Sequence, residues 1–255
     1  VGFFSLLSLG PHISPDCQDA KRLTTFAADN MFHLLKLGLM RTLISKLVVI
    51  VALMCATSVY AADVQPMEKA LSNTLSKVNA ENAESIVVGM DALDRLMKQY
   101  PNEWLPLYYK TLFALQYAVH FPQDSHSGLF LESAKPDLEA LQALCPTDRV
   151  ARSEALVLKG LYYTALIVQN PMVNGKSYYM DAIINYKSAI GVNPDNPRAH
   201  LLLYIFFDNM SKITGQPSMN EPKELTTIKQ LYASEQPQGL LPSWGKELMN
   251  LCGIK

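Results

Sequence analysis

The chain has 255 residues, of which 49% are hydrophobic, so it is long enough to bury a sizeable core as one large domain or two small ones. Its formal net charge of −1 argues against nucleic acid as the main partner, because phosphate backbones are bound by an excess of lysine and arginine. We therefore expect no nucleic-acid binding.

Residues 40–61 have the organisation of a secretory signal peptide. A start at Met40 with nearby basic residues is followed by an apolar run over 47–56 and then by small residues up to Ala61, after which we expect cleavage. The apolar run is well short of the roughly 20 residues that span a bilayer. We therefore predict a mature chain without an integral membrane span, located in the periplasm or secreted.

The residues around this segment leave two points open. We interpret residues 1–39 as an upstream extension from a mis-called start codon, and an unusually long signal segment is the alternative. Cys55 suggests a second alternative, because Leu53-Met54-Cys55 resembles the bacterial lipobox of a lipid-anchored protein. Met54 departs from that motif, which has a small residue before the cysteine.

Apolar residues spaced three and four apart predict a succession of helices after the signal peptide. The predicted helices span 65–78, 81–100, 103–121, 133–144, 149–168, 178–192, 197–213, 224–233 and 243–251. Stretches rich in polar residues, proline and glycine predict loops at 122–128, 170–176 and 214–222. The sequence shows no convincing strand pattern, so the predicted fold class is all-α.

Pro101, Pro146 and Pro194 each close the same pattern of a small, a large and a small or apolar residue at helical spacing. The three sets are Gly89, Leu93 and Leu96; Ala134, Leu138 and Leu141; and Ala182, Tyr186 and Ala189. The pattern resembles the second helix of a tetratricopeptide repeat, in which the small residue admits the partner helix and the proline ends the helix. The resemblance implies stacked antiparallel helical hairpins over residues 62–255, with about three repeats plus capping helices.

The third unit matches the repeat best and also departs from it. Leu156, Gly160 and Tyr163 resemble the first-helix positions of a tetratricopeptide unit, where glycine allows close helix contact. The interval from Gly160 to Ala182 is about ten residues longer than in the family. We predict that the excess forms a loop at 170–175.

The resemblance implies a non-catalytic scaffold that binds a protein or peptide partner in its concave groove. Tyrosine doublets on the predicted helices point about 100° apart, so that one member of each doublet faces the groove. The predicted partner-binding residues are Tyr109, Lys110, Lys159, Tyr162 and Arg198. A small-ligand carrier, with the aromatic residues lining a closed pocket, is a further alternative.

The runner-up function is a metal-dependent or hydrolytic envelope enzyme that uses the loop from His120 to His126 or the 170–175 insertion. His120, Asp124 and His126 are metal-ligand types, although their spacing matches no defined site. The chain has no Gly-x-Ser-x-Gly elbow, phosphate loop or dinucleotide fingerprint, so we expect no cofactor and no enzymatic activity.

The mature chain retains two cysteines, Cys145 and Cys252. Export permits a disulfide, but the sequence does not show that the two residues meet. We interpret them as two buried thiols and leave their pairing open.

Overall fold

The computed structural model of the protein describes residues 66–236 and 238–251, and all regular secondary structure in these residues is helical. The first helix, α1, covers 66–75 of the described chain. The other helices are α2 (Ala83–Gln99), α3 (Trp104–His120), α4 (Ser125–Leu144), α5 (Arg149–Gln169), α6 (Pro171–Val192), α7 (Pro197–Thr214), α8 (Glu224–Ser234) and α9 (Lys246–Leu251). The predicted all-α fold class is confirmed.

Several predictions on the chain termini lie outside the described residues. They are the extension at 1–39, the signal peptide at 40–61, the lipobox alternative at Cys55 and the pairing of Cys252. Within residues 66–236 and 238–251, no helix combines the length and apolar character that crossing a membrane requires.

Consecutive helices from α2 to α8 pack against one another in chain order. In addition, α3 packs on α5 and α5 packs on α7, so that these three helices lie side by side as the first helices of successive hairpins. Such hairpins cannot bury their apolar faces alone and do so by stacking on their neighbours. The order of contacts is therefore that of a stack of helical hairpins.

The proline-closed pattern marks the buried face of the second helix in each hairpin. All of its nine residues in α2, α4 and α6 are buried. The predicted close contact at Gly160 is also present, because a Cβ atom at this position would lie 2.5 Å from Cε1 of Tyr186. The small residue thus sets the distance between the two helices of the α5–α6 hairpin.

The predicted loop at 122–128 is wrong in its second half, because α4 begins at Ser125 rather than at Ser133. The Asp124 carboxylate caps this helix by accepting the backbone N–H of His126 at 2.8 Å. Pro136 consequently lies inside α4 and not in its first turn. The proline is tolerated there although it lacks the N–H that an interior residue normally donates.

The predicted loop at 170–176 is also wrong, since α6 begins at Pro171. Asn170 ends α5 and caps α6, with its side-chain oxygen accepting the backbone N–H of Val173 at 3.3 Å. A backbone N–H at the first helical position has no partner within the helix, so proline, which lacks this group, loses no hydrogen bond there. The extra residues of this unit therefore lengthen the helices of the α5–α6 hairpin instead of forming a loop.

Candidate functional site

A pocket of about 500 Å³ lies between the C-terminal halves of α3, α5 and α7. Its volume is within the range of about 300–1,000 Å³ that is common for small-molecule sites. Most of the wall is apolar, and the apolar residues are Val119, Leu161, Ile167, Val168, Pro171, Leu202, Ile205, Phe206, Met210, Ile213, Trp244 and Leu248. The second half of α5 contributes Leu161, Thr164, Ile167 and Val168 to the pocket lining.

A small number of polar groups interrupt the apolar wall. The side-chain oxygen of Gln116 is buried and accepts no hydrogen bond from the described part of the chain. The Tyr186 hydroxyl lies 3.0 Å from the Thr164 hydroxyl, and burial raises the pKa of Tyr186 well above its usual value. His120 and Asn209 are exposed at the mouth. The pocket therefore has an apolar interior and a polar edge.

Residues 238–248, here called the C-terminal segment, form one side of the pocket. The Tyr109 hydroxyl donates to the Leu240 carbonyl at 2.9 Å, and the Trp244 indole N–H donates to the Tyr108 hydroxyl at 2.8 Å. Trp244 and Leu248 then contribute their side chains to the pocket wall. The chain thus places a segment of its own against the first helices of the hairpins.

A buried network of charged and polar groups anchors this arrangement. Glu154 is fully buried and accepts hydrogen bonds from Tyr108 at 2.7 Å, from Asn196 at 2.8 Å and from Arg198 at 2.8 Å. Arg198 also pairs with Glu235, the residue that follows α8, at 2.6 Å. Burial raises the pKa of Glu154, and the Arg198 guanidinium opposes that shift. The network joins α3, α5 and α7 to the stretch that leads into the C-terminal segment.

The five predicted partner-binding residues do not line the pocket. Tyr109 and Arg198 are buried and hold the C-terminal end of the chain, as described above. Lys110 forms two ion pairs with carboxylates, at 3.0 and 3.1 Å. Lys159 and Tyr162 are half-buried, and the ring of Tyr162 packs edge-to-face on the adjacent tyrosine. A role for these residues in binding an external partner stays a prediction.

The structure separates the residues of the predicted metal-binding loop. Asp124 and His126 contact each other at 2.9 Å at the start of α4, where the backbone N–H of His126 lowers the pKa of Asp124. His120 lies instead at the mouth of the pocket. In the described ranges 66–236 and 238–251, no group of three His, Cys, Asp or Glu residues is placed to hold a metal ion.

Cys145 is a free and buried cysteine. Burial raises the pKa of its thiol to about 11.

No protein-family model matches the sequence, and no curated protein does. Among solved structures, the chain is similar to the HusA haemophore from Porphyromonas gingivalis, with a TM-score of 0.60 and 20% sequence identity over 74% of this chain and 92% of that one. The chain shares its fold with a haemophore. At this identity the likeness concerns the fold alone, and membership of the tetratricopeptide family stays a prediction.

Proposed function

We propose that the chain is a non-catalytic carrier that binds a flat, largely apolar ligand of the porphyrin class, such as haem. The observation that carries this proposal is the apolar pocket of about 500 Å³ between α3, α5 and α7. Small-ligand sites of this kind have apolar walls with a few placed polar groups, and they bury most of the ligand. The haemophore whose fold the chain shares supports the choice of ligand class.

The distribution of polar groups suits a porphyrin. Such a ligand has an apolar ring and carries carboxylates at one edge. The deep wall of the pocket is apolar, whereas His120, Asn209 and Lys212 are exposed at its mouth. Lys212, which pairs with Asp208 at 2.7 Å, lies near the place where ligand carboxylates would meet water. The buried oxygen of Gln116 marks a point in the wall where a bound ligand or water would donate a hydrogen bond.

The small-ligand alternative is favoured over a peptide in the groove by the position of the C-terminal segment. Tyr109 binds a backbone carbonyl of this segment, and Arg198 pairs with Glu235 just before it. These are the contacts that the predicted groove residues would make with a bound peptide. A protein or peptide partner in the same groove would have to displace the segment.

A periplasmic or secreted location is part of the proposal. It is supported by the predicted signal peptide at 40–61 and by the haemophore fold. Carriage of a ligand outside the cytoplasm is consistent with a binding protein that performs no chemistry on it.

Binding of porphyrins to the purified protein tests the proposal. Haem and metal-free protoporphyrin are titrated separately, with the porphyrin absorbance and the quenching of tryptophan fluorescence as readouts. We expect saturable binding of both, because the apolar wall contacts the ring and not the metal. If the protein binds neither haem nor metal-free protoporphyrin, the proposal is wrong.

A matched pair of variants assigns binding to the pocket. Ile213 lines the mouth and is 64% exposed, so that Ile213→Glu leaves the core intact and puts a carboxylate against the ligand. Ile184 on α6 is 53% exposed and does not line the pocket, which makes Ile184→Glu the control. We expect Ile213→Glu to weaken binding roughly ten-fold, since about 1–3 kcal/mol is lost when a polar group is desolvated without a partner. Equal affinities of the two variants would place the ligand elsewhere.

A further inference from the structure

The pocket contains few side chains that can bind iron. Haem iron in proteins is held by histidine, cysteine, methionine or tyrosine. Of the described residues that line the pocket, only His120, Tyr186 and Met210 belong to these types. If the proposed function holds, an axial ligand to the iron would have to come from among them.

Tyr186 is unsuited to this role. An iron-bound tyrosine acts as a phenolate, but burial holds the pKa of Tyr186 well above its usual value. Its hydroxyl is 3.0 Å from that of Thr164. Its ring packs against Gly160 so closely that a Cβ atom on Gly160 would lie 2.5 Å from the ring. The ring is therefore fixed in the hairpin interface as a protonated phenol.

The three described histidines differ in what their ring nitrogens contact. His126 contacts the Asp124 carboxylate at 2.9 Å, and His200 has Glu224 at 2.7 Å on one nitrogen and the Pro194 carbonyl at 3.0 Å on the other. His120 is exposed at the end of α3, and within the described residues neither of its ring nitrogens has a hydrogen-bond partner. Its neighbour Phe121 contacts it through the ring, at 6.4 Å between centroids.

We infer that His120 is the axial ligand of the iron when haem occupies the pocket. The inference rests on the proposed function. An imidazole at the mouth with its nitrogens available is the strongest iron ligand that the pocket offers. Met210 is half-buried in the apolar wall, and its thioether is the weaker alternative.

The test compares haem with metal-free protoporphyrin in the purified protein and in two variants, His120→Ala and Met210→Leu. Loss of an outer-shell partner of a metal typically lowers metal affinity by roughly ten- to hundred-fold. Removing a direct ligand such as His120 should lower haem affinity by at least as much, and it should also shift the Soret band. Added imidazole should restore the Soret band of His120→Ala. Binding of metal-free protoporphyrin should not change, and Met210→Leu should keep both the spectrum and the haem affinity.

The outcomes separate the inference from the proposed function. If His120→Ala keeps the affinity and Soret band of the unmodified protein, the inference is wrong, and the proposed function stands as long as the metal-free ring binds. A shifted Soret band in Met210→Leu alone would assign the ligand to Met210 and also overturn the inference. If the unmodified protein binds neither compound, both proposals are wrong.

Discussion

Replacing Gly160 with alanine tests the close helix contact on which the pocket depends. A Cβ atom at this position would lie 2.5, 2.6 and 2.9 Å from three ring carbons of Tyr186. Separations under about 3 Å are well inside the usual contact distance of about 3.5–4.0 Å between carbon atoms. Tyr186 is fully buried and held through its hydroxyl, so the ring has little room to move away.

The expected cost follows from two opposing effects. Alanine is better than glycine in a helix interior by about 1 kcal/mol. An extra methyl group forced into a well-packed core typically costs about 1–3 kcal/mol. We therefore expect Gly160→Ala to lower the free energy of unfolding by up to about 2 kcal/mol. Tyr186 lines the ligand pocket, so a shift of its ring would change the pocket wall, and we expect porphyrin affinity to fall as well.

Gly175 provides the matched control. It lies inside α6, and a Cβ atom there would meet nothing within 4 Å. Gly175→Ala should gain about 0.5–1 kcal/mol from helix propensity alone. Urea denaturation followed by circular dichroism measures both variants. If Gly160→Ala stabilises the protein as much as Gly175→Ala does, the hairpin contact described here is incorrect.

Three further predictions concern the buried polar groups. Glu154→Ala should lower the free energy of unfolding by about 3–5 kcal/mol, because it leaves Arg198 buried without one of its carboxylates. A decrease of less than about 1 kcal/mol, measured by urea denaturation, would argue against the network. Cys145 should react slowly with iodoacetamide at neutral pH until urea is added, because its thiol is buried with a pKa raised to about 11; rapid alkylation of the folded protein, located by peptide mapping, would show that the thiol is accessible. Burial raises the pKa of Tyr109 to about 12 from an unfolded value near 10, so folding favours the neutral phenol. This contribution to the free energy of unfolding is complete below pH 10 and is lost as the pH rises towards 12. Tyr109→Phe should reduce the loss of stability at alkaline pH. If the alkaline unfolding curve of Tyr109→Phe is the same as that of the unmodified protein, this prediction is wrong.

The C-terminal ends of α2, α4 and α6 were predictable, because local chemistry determines them. The closing prolines and the small residues before them mark α2, α4 and α6 because a missing N–H and a close helix approach act within one turn. The loop at 170–176 was mispredicted for a related reason. Asn170 and Pro171 are typical of loops, but the same pair can end one helix and start the next.

The pocket could not be predicted, because its wall combines residues from distant parts of the chain. Trp244 carries no local signal that it would lie beside α3, and its contact with Tyr108 depends on the whole stack. Likewise, nothing near Tyr109 or Arg198 in the sequence shows that each has a partner in the chain's own C-terminal end. The sequence leaves the small-ligand carrier as one of several alternatives, and only the tertiary structure favours it.

The position of a porphyrin in a co-crystal structure tests the central claim most directly. We predict that the ring lies between the C-terminal halves of α5 and α7, in contact with Val168, Ile205 and Trp244. A ring bound on another surface, or a pocket that stays empty while porphyrin binds elsewhere in solution, would contradict this account.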